Sequence, residues 1–173
     1  MVLFPPLNFQ YVENDLYRSA FPTEINYDFL RTLNLRTMLI LDESCPQSLL
    51  SFMDDSNIQP IFIDNSNANL PSKWNSPIGE AMVIKALEVL MQIEHYPVLI
   101  TDKHGRTLSG TVVACMRKLQ GWSQMSIFEE FRRYGGYKPQ QRHEEFIESF
   151  DIELVSEPTE ETPFFLRLQS NHK

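Results

Sequence analysis

Cysteine is scarce in this chain, with only Cys45 and Cys115 among 173 residues, and they follow no pairing pattern. No disulfide framework can be built from them, and such usage fits a reducing compartment. Basic side chains are outnumbered, 15 Lys and Arg against 23 Asp and Glu, and the net charge of −8 argues against nucleic acid and acidic membrane surfaces as general partners. No apolar run approaches the length of a membrane span. The start, Met1-Val2-Leu3-Phe4-Pro5-Pro6, is short and lacks the basic flank of a signal peptide. Together these absences lead to the expectation of a cytoplasmic protein. Histidines 95, 104, 143 and 172 share no metal-ligand spacing, internal repeats are missing, and no cofactor is expected.

What is present is enough apolar material, 42% of residues, for one domain with a real core. Apolar patterning predicts strands at Leu7 to Val12 and Leu16 to Ser19, joined by Glu13-Asn14-Asp15. A helix starting at Pro22-Thr23-Glu24 carries Ile25, Phe29, Leu30 and Leu33. Thr37 to Leu41 is a continuous apolar strand, as expected for a sheet covered on both faces. Pro46 to Asp55 reads as a short helix with Leu49, Leu50 and Met53 inward, and Pro60 to Asp64 as the next strand. Asn65 to Asn75 is polar and aperiodic, with Trp74 as a core cap or an interface marker. Pro77 to Ile93 is a long amphipathic helix using Ile78, Met82, Leu87, Leu90 and Met91. Helices follow strands repeatedly, so the class is α/β with a mainly parallel sheet flanked by helices.

The stretch from Pro97 to Gln120, PVLITDKHGRTLSGTVVACMRKLQ, organises the rest. It reads as a buried strand (Val98, Leu99, Ile100), a polar loop (Thr101 to Ser109), and a helix with Leu108, Val112, Cys115, Met116 and Leu119 at helical spacing. Thr107 or Ser109 is a suitable N-cap. In strand, glycine-bearing loop and helix, the loop amides and the positive helix end converge on one point that can hold an anion.

This segment resembles the active-site region of the fungal and plant atypical dual-specificity phosphatases. That cysteine-phosphatase family includes the yeast oxidant-induced cell-cycle arrest proteins and an inositol pyrophosphate phosphatase. Its loop has the form H-C-x-x-G-x-x-R-T-G and is followed by a helix ending close to C-L-R-K-L-Q, against Cys115-Met116-Arg117-Lys118-Leu119-Gln120 here. The likeness extends to Pro5-Pro6-Leu7-Asn8-Phe9, Leu16-Tyr17-Arg18-Ser19-Ala20-Phe21-Pro22, Ser126 to Phe131 and Phe146 to Asp151. It implies a dual-specificity-phosphatase-like fold over residues 1–155, leaving 156–173 as an acidic linker and apolar tail. Counting back along the motif places Thr101 at the family's His and Asp102 at its nucleophilic Cys. Gly105 and Gly110 match, and Leu108 falls where the phosphate-binding Arg belongs.

Chemistry gives those two positions their weight. A thiol must be a thiolate near neutral pH to attack phosphorus, and Arg holds two phosphate oxygens through its planar fork. Using Arg106 as the phosphate ligand instead would put Ile100 at the nucleophile. Cys115 lies on the helix's apolar side and reads as a buried hydrophobe. Asp102 in the amide cradle would take hydrogen bonds meant for phosphate, giving a self-liganded loop. Lys103, His104, Gly105, Arg106, Thr107, Ser109 and Gly110 then form the phosphate loop or a weak anion site. Lys103, His104 and Arg106 also read as a solvated loop with partial ion pairs.

The local run Asp102-Lys103-His104-Gly105-Arg106-Thr107 also resembles the D-K-T-G-T start of enzymes that phosphorylate an aspartate. Those need further carboxylates for Mg²⁺, and the later acids here, such as Glu129, Glu130, Glu144, Glu145 and Glu148, read as exposed helix faces. Asp64 reads as a strand-ending turn residue ahead of a general acid. In the tail, Phe164, Phe165 and Leu168 either fold back onto the domain or dock on another subunit. The resulting expectation is an inactive phosphatase homologue: a non-catalytic binding or scaffold subunit partnered by related phosphatases in stress or inositol pyrophosphate signalling. A phosphatase with residual activity on inositol pyrophosphate or phosphotyrosine, and an inositol phosphate sensor, are the alternatives.

Overall fold

The computed structural model describes residues 2–64, 79–136 and 141–167. The chain divides into two compact units, the first formed by residues up to Asp64 together with His95–Ser109, the second by the remainder.

The first unit holds the sheet. Five strands, β1 (Gln10–Glu13), β2 (Leu16–Ala20), β3 (Thr37–Ile40), β4 (Gln59–Phe62) and β5 (Val98–Asp102), lie in the order β1-β2-β5-β3-β4. β1 pairs with β2 antiparallel and the other three pairings are parallel, so the sheet is mixed. Every residue of β2, β3 and β5 is buried, which is why the latter two carry unbroken apolar runs. β4 sits at an edge, where Pro60 deletes no ladder bond that the sheet needs. Helices α1 (Tyr27–Thr32) and α2 (Gln47–Asp55) supply Leu30, Leu49, Phe52 and Met53 to a core shared with Tyr17, Met38, Ile40 and Leu99. Tyr27 stacks on Phe52 with ring centroids 4.0 Å apart.

Several sequence expectations are corrected here. The first strand starts at Gln10, because Leu7 and Asn8 are taken up in a turn that Phe9 N–H closes on the Pro6 carbonyl (3.1 Å) and Asn8 enters at φ 57°. Ile25 belongs to a 3₁₀ turn, Glu24–Asn26, that precedes α1, and it is 62% exposed. The polar loop is shorter than expected at both ends. Thr101 and Asp102 continue the central strand, paired with Ser19 and Ala20, and the helix that follows already begins at Thr107. Thr107 and Ser109 therefore both lie inside the first turn of that helix, and neither is its N-cap.

In the second unit, α3 (Glu80–Leu90) buries Met82, Val83, Ala86, Leu87 and Leu90. The expected Asn65 to Asn75 loop, with Trp74, and Ile78 lie outside the described residues. The helix α4 (Thr107–Leu119), which enters this unit at Gly110, is buried from Ser109 through Arg117, so Val113 and Ala114 are buried beside the residues that periodicity selected. Arg117 pairs with Glu130 of α5 (Gln124–Gly135) through two contacts of 2.9 and 3.1 Å. Lys118 caps the far end of α6 (Gln141–Ser149), its Nζ donating to the carbonyls of Ile147, Glu148 and Phe150 at 2.6–3.0 Å. The described part of the tail, up to residue 167, packs within this unit, and Leu168 lies outside the described residues. Ile93 N–H donates to the Glu161 carbonyl, Gln120 Nε2 donates to the Phe165 carbonyl in α7 (Phe164–Arg167), and Leu166 is buried while Phe164 is 68% exposed.

His143 of α6 lies against the Phe131 ring, and burial lowers its pKa below the usual histidine value. A histidine shifted in this direction contributes its stability above the unfolded value of about 6.5 and loses it as pH falls toward the folded value. Thermal stability is therefore expected to drop on acidification below about pH 6.5, and His143→Gln to flatten that part of the profile. Identical slopes for the two proteins between pH 7 and pH 5 would rule this out. Glu144, whose carboxyl is held down by its hydrogen bond to Arg132, acts in a separate window below its ordinary value of 4.5.

Candidate active site

The site is built where β5 ends. Asp102 is the last residue of the strand, 4% exposed, and the four residues 103–106 carry the chain from it into α4. Three backbone amides turn inward on its carboxylate. His104 and Gly105 donate to Oδ1 at 2.9 and 2.7 Å, and Ser109 donates to Oδ2 at 2.9 Å. The Ser109 amide is one of the helix's N-terminal donors, so Asp102 caps α4 from the preceding strand. Nests of amides of this kind select an anion.

Gly105 makes the turn possible. Its φ is +61°, and a Cβ there would stand 2.1 Å from the Ala20 nitrogen and 2.4 Å from the Ser19 carbonyl carbon. Only a residue without a side chain lets the loop lie against β2. The strand ends are cross-tied around it: Thr101 Oγ1 donates to the Ser19 carbonyl at 3.1 Å, and Phe21 N–H to the Asp102 carbonyl at 2.9 Å.

Lys103, His104 and Arg106 are exposed on the loop, Thr107 and Leu108 are half-buried at the start of α4, and Gly110 is buried one residue beyond Ser109. Leu108 offers no hydrogen-bond donor at the position where the motif count requires Arg. The Ser109 hydroxyl is buried and has no hydrogen-bond partner among the described residues, a feature that reading Ser109 as a helix cap does not anticipate. Asn8 is the other residue the sequence reading missed. It appeared only as part of an opening signature, yet its Nδ2 donates to the His104 carbonyl at 2.8 Å across 96 positions of chain.

Both thiols are free and neither belongs to the loop. Cys115 is fully buried and burial pushes its pKa far above the usual thiol value, while Cys45 is raised by burial and by the charge of Asp42. Asp64 is exposed two residues beyond β4. Among the described residues no three or more His, Cys, Asp or Glu side chains gather into a metal-binding group, and no helix is long and apolar enough to cross a membrane.

A family model described as the tyrosine phosphatase family matches residues 3–169. The chain belongs to that family. The match runs past residue 155 into the tail. Among related proteins, a probable tyrosine-protein phosphatase of Dictyostelium discoideum is 44% identical over 153 residues, spanning 88% of this chain and 90% of the relative. An inositol diphosphatase of Arabidopsis thaliana is 40% identical, spanning 87% of this chain and 73% of the relative. Among solved structures, the core catalytic domain of the PP-IP phosphatase SIW14 from S. cerevisiae superposes with a TM-score of 0.78 at 34% identity, covering 87% of this chain and 89% of that one. The mixed α/β sheet of this tyrosine phosphatase family member is thus the cysteine-phosphatase fold. The expectation of a non-catalytic scaffold subunit is overturned by the same relatives. They carry the names of phosphatases, and their likeness spans most of the chain instead of a shared fragment, which favours the phosphatase alternative.

Proposed function

We propose that this family member is a phosphatase acting on an inositol pyrophosphate, with turnover well below that of a thiolate enzyme. The observation that carries the reading is the amide cradle at the end of β5, where His104, Gly105 and Ser109 present their N–H groups to one anionic group. Its support from kinship is the 40% identity to an inositol diphosphatase across 87% of this chain. In this reading the Asp102 carboxylate stands in for a phosphoryl group, and substrate enters by displacing it from the amides. With no thiolate in the loop, water attacks the outer phosphorus, the bond to the bridging oxygen breaks and that oxygen takes the proton the water gives up. The rate is low because this attack has no thiolate and because the resident carboxylate competes for the same donors. The exposed Lys103 and Arg106 lie beside the cradle and attract a highly charged ring. A cytoplasmic setting belongs to the same proposal, supported by two free cysteines.

The test is orthophosphate release by the full chain from a diphosphoinositol polyphosphate and from a phosphotyrosine peptide. Slow release is expected, faster from the diphosphoinositol, with a KM raised about tenfold by reversing both charges in Lys103→Glu with Arg106→Glu. No release above buffer from either compound would overturn the phosphatase reading. The absence of a thiol from the loop favours one other reading, a sensor that binds the same inositol pyrophosphate without turnover. Saturable binding of the diphosphoinositol without release would select it.

A further inference from the structure

We infer that Asn8 is a positioning residue that locks the orientation of the peptide joining His104 to Gly105. The inference rests on reading the 103–106 loop as the phosphate-holding element. A trans peptide points its C=O and N–H in opposite directions. In this peptide the His104 carbonyl accepts from Asn8 Nδ2 at 2.8 Å, and the Gly105 N–H on the other side donates to Asp102 Oδ1 at 2.7 Å. Gripping the oxygen therefore aims the amide.

The grip is needed because of Gly105 itself. The observed φ of +61° is one that glycine holds at little cost, and rotating this peptide by half a turn takes φ to the ordinary negative side, which is as open to it, so the backbone alone does not choose between the two orientations. The rotated peptide would turn a carbonyl oxygen toward the cradle and replace a donor by an acceptor, repelling either Asp102 or a phosphate. Asn8 is held to the task by its own backbone. It sits at φ 57°, a left-handed conformation that asparagine tolerates, in a turn anchored by Ala20 N–H donating to the Leu7 carbonyl at 2.8 Å. Ala20 is also the residue against which Gly105 packs. The turn, the end of β2 and the loop are thus one connected brace. Ser109 stands outside it, since the axis of α4 sets the direction of its amide.

That difference supplies the experiment. In the full, ¹⁵N-labelled chain, Asn8→Gly keeps the left-handed backbone and removes the donor, while Asn8→Asp keeps the shape and removes the donor. Both are expected to shift the Gly105 amide proton upfield and to speed its exchange with solvent about fivefold to tenfold, the worth of one hydrogen bond. The Ser109 and strand amide shifts should stay as they are, and the melting temperature should fall by only the few degrees that one hydrogen bond is worth. Where the parent chain releases phosphate, kcat/KM should fall by a similar factor. Where it does not, the Gly105 amide alone decides the role of Asn8. An unchanged Gly105 amide in Asn8→Gly would overturn the inference. So would joint weakening of Gly105, Ser109 and the sheet with a larger fall in melting temperature, which would make Asn8 a fold-stabilising residue only.

Discussion

Asp102→Cys combined with Leu108→Arg is expected to raise phosphate release by about a thousandfold over the parent chain. A thiol at the end of β5 would face the amides of His104, Gly105 and Ser109 and the positive end of α4, the surroundings that lower a thiol pKa into the physiological range. The smaller side chain also vacates the space the carboxylate fills, so the cradle is free for a phosphoryl group. Arg in the first turn of α4 adds a bidentate donor for developing charge, and a single such donor is worth about 10² to 10³ in rate. Each change alone should give much less than its share, because nucleophile and clamp act on one transition state. The buried Ser109 hydroxyl, without a partner among the described residues, is then within the same turn as the new Arg. A folded double variant that releases phosphate no faster than the parent would show that the cradle no longer accepts a phosphoryl group.

Gly105→Ala is expected to cost about 2–5 kcal/mol of unfolding free energy, measured by urea titration. A left-handed backbone accounts for roughly 1–2 kcal/mol of that, and forced overpacking for about 1–3 kcal/mol. The clash is with backbone, the Ala20 nitrogen at 2.1 Å and the Ser19 carbonyl carbon at 2.4 Å, so no side chain can rotate out of the way. Relief must come from moving the end of β2 or lifting the loop. The second route would separate the His104 and Gly105 amides from Asp102, so the Asp102→Cys, Leu108→Arg chain carrying Gly105→Ala should lose its gained activity as well. A cost under about 1 kcal/mol would mean the loop relaxes far more readily than this packing implies.

What could be read from the sequence was whatever local pattern controls. Val98, Leu99 and Ile100 announce a buried strand, and the four residues between Asp102 and Thr107 were expected as loop. Thr101 and Asp102 were not read as strand, since both are polar. Their burial depends on partners far along the chain, the Ser19 carbonyl and the ladder to Ala20. Asp102 as the occupant of an amide cradle followed from counting along the family motif, whereas the turn-closing role of Leu7 and Asn8 did not. No periodicity links residue 8 to residue 104, and only the folded chain brings the side-chain amide to that carbonyl. The exposure of Ile25 was equally hidden, because a 3₁₀ turn rotates side chains by a different angle from the α-helix that the apolar spacing implied.

The strand order has a consequence for the chain as it leaves the ribosome. β5 occupies the middle of the sheet although it comes last in the chain among the sheet's described strands, and β2 and β3 touch it on either side without being neighbours. Until residue 102 has emerged, the nascent chain can form only two separate strand pairs, β1 with β2 and β3 with β4, each with an open apolar edge. Folding of the sheet is thereby postponed until more than half of the polypeptide is available, and the step that joins the pairs is the same one that puts Asp102 and its amides in place.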